Sequence, residues 1–87
     1  MASSIFICSP QFRLLQEILR DGPIDVPREG ERHESAEALL EQGFLRVVEG
    51  DLGLTLRGAV AVVAGERQPS ENGVVVAQFL LDACHDG

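Results

Sequence analysis

Eighty-seven residues with seven Arg, no Lys and fourteen Asp plus Glu carry a net charge of −7. That length predicts one domain, 1–87, burying only roughly 60–65% of the surface its unfolded chain exposes. A hydrophobic fraction of 45% excludes a disordered chain, and the acid excess argues against free-standing nucleic-acid binding, which rests on cations neutralising phosphates.

Met1 to Cys8 has no basic residue, and its apolar run, Ile5 to Cys8, is four residues long. A signal peptide needs about 7–15 apolar residues and a membrane span about 20, so a cytoplasmic setting with reduced thiols is expected. A bridge between Cys8 and Cys84 is the alternative. Ile5, Phe6 and Ile7 predict a short strand, with an apolar arm as the alternative. Ser9-Pro10 then opens a helix, with Ser9 as cap and Pro10 in the first turn, and Asp21-Gly22-Pro23 stops it. Phe12, Leu15, Ile18 and Leu19 share its apolar face.

Residues 23–33, broken by Pro23, Pro27 and Gly30, read as loop, with an extended piece at Ile24 to Val26. A second helix is expected from about Glu34 to Gln42, burying Ala36, Leu39 and Leu40 and closing at Gly43. Phe44 to Val48 and Leu52 to Leu56 read as strands joined at Glu49-Gly50-Asp51. Thr55 can cap a third helix through Arg57 to Ala64; that segment is rich in Val, so a strand stands as the alternative. Ser70 can cap a last helix, Glu71 to about His85, apolar nearly all round. One side of it would pack on the core and the other, through Val75, Val76, Phe79 and Leu80, on a second copy in a homodimer.

Leu39-Leu-Glu-Gln-Gly-Phe-Leu45 and Leu54-Thr-Leu-Arg-Gly58 resemble the Leu-x-x-x-Gly-x-Leu and Leu-Thr-x-x-Gly stretch of winged helix-turn-helix proteins, many of them transcriptional regulators. The resemblance covers residues 10–66 and implies an α+β winged-helix-like fold: three to four helices with a small antiparallel hairpin as wing. Two features depart from that family. Only a proline-broken loop stands where a full helix precedes the recognition helix, so the groove-reading unit is truncated. And residues 25–51, the loop, recognition-type helix and wing, hold three Arg against eight acids, net −5, while residues 1–24 are neutral and 52–87 carry −2.

Glu34, Glu37 and Glu41 fall on one helical face, and Glu29, Glu31, Glu49 and Asp51 can extend it. Such a stripe serves solubility or, in the sharper reading, imitates phosphates and occupies a basic groove of a partner protein. Phe44 and these acids are the expected binding surface. The alternative is a DNA-binding regulator contacting DNA through Arg46 and Arg57, against which Arg57 reads as a surface arginine pairing with Glu49 or Glu66. Cys8, His33, Cys84 and His85 lack zinc-site spacing, and no Gly-rich phosphate loop or nucleophile–base set is legible. No metal, cofactor, membrane or enzymatic activity is therefore expected. Small acidic single-domain proteins of this kind resemble phage-encoded inhibitors of bacterial defence, including anti-CRISPR proteins. That resemblance implies a CRISPR effector complex as partner; a subunit of a larger complex is a further reading.

Overall fold

The first strand of the chain pairs with the last. In a computed structural model that describes residues 3–83, β1 (Ser4–Cys8) runs antiparallel to β6 (Gly73–Ala77), in register from Ser4↔Ala77 to Cys8↔Gly73. β5 (Pro69–Ser70) closes the other edge of β6, giving the order β1-β6-β5. Between them run α1 (Ser9–Asp21), β2 (Ile24–Asp25), α2 (Gly30–Glu41), β3 (Leu45–Val48), β4 (Asp51–Leu54) and α3 (Leu56–Glu66), and α4 (Gln78–Asp82) follows β6. The described residues thus form a small α+β domain of four helices and two three-stranded antiparallel sheets, the second ordered β2-β4-β3.

The expected last helix, 71–85, is corrected: its first half is a hairpin and a strand, its helical part is only Gln78–Asp82, and Cys84 and His85 lie outside the described residues. Val74-Val75-Val76 are β-branched and lose side-chain freedom in a helix. Glu71 and Asn72 form the two-residue connection between the paired Ser70 and Gly73, and a Cβ at Gly73 would press on the Ile7 carbonyl and the Cys8 backbone, so this glycine lets β6 lie close beside β1. Side chains alternate across the resulting strand, so Val74 and Val76 face the core with Ile5 and Ile7, and Val75 and Ala77 face outward.

The helix α1 is central, packing on α2, α3 and β6. It therefore buries Phe12, Leu14, Leu15 and Ile18, whereas Leu19, expected on the buried face, is exposed. Ser9 does not cap it: Cys8 holds the cap position, and no side chain bonds the first turn. The helix α2 begins at Gly30 rather than Glu34, so the loop is shorter than expected. Glu29 and Glu31 beside the unpaired N–H groups of its first turn favour that earlier start.

The expected hairpin forms, but its second strand runs from Asp51 to Leu54 rather than from Leu52 to Leu56. Glu49 and Gly50, at φ 53° and 86°, make the two-residue turn whose left-handed backbone matches strand twist. The segment after Thr55 is helix, not the alternative strand. One core runs from Ile7 through Leu81 and so reaches beyond residues 10–66.

Candidate functional site

The residues that carry the family resemblance converge on one junction. Gly43 leaves α2 at φ 82°. Its carbonyl accepts from Thr55 Oγ1 at 2.6 Å, and the same hydroxyl oxygen accepts from Gly58 N at 3.0 Å, capping α3. Thr55 N donates to the Phe44 carbonyl at 3.1 Å. Arg57 Nε donates to the Gln42 carbonyl at 2.9 Å, and its guanidinium lies 5.3 Å from the Phe44 ring centroid. These bonds therefore tie the β3-β4 hairpin to the helices on either side of it.

Two expectations change here. Phe44 is fully buried and offers no binding surface. Arg57 forms no ion pair with Glu49 or Glu66 among the described residues; it is held against the C-terminal end of α2, where a cation suits the helix dipole. Of the two arginines in the alternative reading, Arg46 alone points from the wing into solvent without such a tether.

The acids do not form one continuous patch. Glu34, Glu37 and Glu41, exposed on α2, line a shallow concavity of about 460 Å³ with Ala38 and Leu40. Glu49 and Asp51 sit at the tip of the β3-β4 hairpin, and antiparallel pairing sets Asp25 opposite Asp51. Asp25 is the acid that the sequence reading left out; only strand register places it there, and β2 is too short to announce its register in sequence. Glu29 flanks the start of α2. Glu31 does not join the concavity but lines a separate hollow with Arg13, Glu17 and Arg32.

Arg32 crosses to α1, where its two terminal nitrogens reach the Glu17 carboxylate at 3.2 and 2.9 Å. That hydrogen bonding draws the Glu17 pKa below its ordinary value and raises that of Arg32. On the acidic side of α2, His33 sets Nδ1 3.0 Å from the Pro27 carbonyl and Nε2 3.1 Å from Glu37 Oε1. Both partners are acceptors, and only the imidazolium donates from both nitrogens. The Pro27 carbonyl, then the charges of Glu37 and Glu34, hold its pKa above the ordinary value.

No cluster of three or more metal-ligating side chains occurs among the described residues. Cys8 is a half-buried thiol, and its possible bridge to Cys84 falls outside them. No described helix is long and apolar enough to cross a membrane. Of the expected dimer residues, Val76 is fully buried and cannot contact a second chain, because it lies on the inner face of a strand. Val75, Phe79 and Leu80 line a groove of about 860 Å³ together with Val60, Val63 and Ala64 of α3. Comparison with family models, with curated proteins and with solved structures finds no match to this chain.

Proposed function

We propose that the protein is a non-enzymatic binding module that lays the acidic strip of α2 and the wing tip on a basic, nucleic-acid-binding surface of a partner protein. One observation carries the reading: Glu34, Glu37 and Glu41 share an exposed concave strip, and the one arginine of α2, Arg32, is turned away to Glu17. The order α1-β2-α2-β3-β4-α3, with β2 paired on β4, supports a winged-helix-like scaffold in which α2 takes the recognition position. At that position a DNA reader carries cations and amides. Here a row of carboxylates presents negative charge instead and steers toward positive charge. An effector of bacterial defence that binds nucleic acid, such as a CRISPR complex, is a partner of the required chemistry, and the module would act as an inhibitor of it.

The test is capture from nuclease-treated bacterial lysate, by the unaltered chain and by a variant combining Glu34→Lys, Glu37→Lys and Glu41→Lys. The reading expects a captured protein that duplex DNA competes off, that dissociates as salt rises, and that the variant fails to retain. Capture indifferent to the reversal refutes it. Retardation of duplex DNA by the unaltered chain at physiological salt would establish the DNA-binding regulator instead.

A further inference from the structure

We infer that a second copy of this chain covers the outer face of the β1-β6-β5 sheet, each copy seating its Phe79 ring in the other's groove. Three independent features lead there. The first is the sequence of the strands. Ile5-Phe6-Ile7-Cys8 and Val74-Val75-Val76-Ala77 are continuous apolar runs, whereas a strand with one wet face alternates apolar and polar residues. Their inward residues fill the core; outward, Phe6 is exposed and Val75 and Ala77 floor the groove. Strands written for burial on two faces are covered on one in the single chain.

Charge is the second. In a chain of net −7, the residues lining the groove include a single charged side chain, Arg67. Two such chains repel across most of their surfaces. Across this face they meet with no carboxylate of the lining opposed to another. A basic partner gains nothing here, and the complementary surface is one equally apolar and equally poor in charge, which this face of another copy supplies.

Shape is the third. Phe79 lines the groove yet remains 66% exposed, the most exposed of the large apolar side chains among the described residues. A projecting ring and a hollow on the same surface are self-complementary under a two-fold axis, as an isologous interface requires. None of the lining residues belongs to α2, β3 or β4, so the acidic strip stays open in the pair.

Sedimentation equilibrium of the full chain, from micromolar to millimolar concentration, tests this. The expected result is a species of twice the 9.4 kDa chain mass that tightens as salt screens the mutual repulsion. Phe79→Glu and Val63→Glu alter exposed positions, so circular dichroism should find the fold intact. Each should weaken the pair about 30-fold or more, as loss of a central apolar anchor does. Val47→Glu, equally exposed but on the wing, should leave it unchanged. A single-chain mass throughout overturns the proposal, as does a pair indifferent to both groove variants. A single-chain species that takes up a fatty acid in the groove assigns the groove to a small ligand and overturns it too. Should Phe79→Glu fail to fold, Val63→Glu decides. Salt separates this interface from partner capture, which weakens under the same titration.

Discussion

Thr55 offers the sharpest test of how the β3-β4 hairpin is held. Its hydroxyl donates to the Gly43 carbonyl and accepts from Gly58 N, and the residue is only 7% exposed, so water cannot replace either bond. Thr55→Val keeps the shape and removes both. Loss of the helix cap costs about 1 kcal/mol. Leaving the Gly43 carbonyl without its donor adds a further ~1–2 kcal/mol. Thr55→Ser keeps both bonds and loses a methyl group, about 0.8 kcal/mol. The valine variant should therefore lose about 2–3 kcal/mol, a large share of the stability of a domain this small. That corresponds to roughly 10–20 °C in melting temperature, and the serine variant should lose less than half as much. Urea titration followed by circular dichroism measures both. Equal losses for valine and serine, or a valine loss within about 0.5 kcal/mol of zero, would refute the account of the junction.

Other positions make shorter statements. Glu49 occupies the left-handed region at φ 53°, so Glu49→Asn should stabilise the chain by about 0.5–1 kcal/mol in the same titration, and a loss would show the turn unstrained. A Cβ on Gly58 would press on the Phe44 carbonyl and the Leu54 side chain; Gly58→Ala should cost about 1–3 kcal/mol, where an ordinary helical glycine would gain. His33 has a raised pKa, so its contribution is complete below its unfolded value and lost as pH rises through the folded one. The stability advantage of the unaltered chain over His33→Ala should accordingly be greatest below the ordinary histidine value and shrink as pH rises through the raised folded value. A ring titration by NMR at or below the ordinary histidine value would contradict the double acceptor contact.

The parts of the fold legible in the sequence were those where local chemistry and tertiary packing agree. Gly22 and Gly43 end helices, Thr55 starts one, and Glu49-Gly50 turns a hairpin, each by a backbone requirement that acts within a few residues. The helix expected at 71–85 was misread because an apolar run has no period: Val74 to Ala77 suits a helix buried all round as well as a strand buried on both faces. The β-branched triplet is the signal that decides for a strand, and Gly73 marks the close approach of β1. Leu14 is buried and Leu19 exposed because α1 has neighbours on several sides, and periodicity names one face only. At the candidate site, spacing sufficed to align Glu34, Glu37 and Glu41 within one helix. Asp25 opposite Asp51 and Arg32 on Glu17 join residues far apart in the chain, which spacing cannot reach.

The tether of Arg32 changes what the charge arithmetic means. Over residues 25–51 the sequence gives −5, but one of its three cations is neutralised by Glu17, which lies outside that segment, so toward a partner the segment acts as −6. His33 is the only other group of α2 that can carry positive charge, and it is bonded along the helix to Glu37, where protonation would soften the strip. Partner binding through the strip should therefore weaken as pH falls through the raised His33 value, even while the same protonation firms the start of α2 against its loop. Stability and affinity would then move in opposite directions across one titration. A measured affinity that rises together with stability on acidification would place the contact surface elsewhere than on Glu34, Glu37 and Glu41.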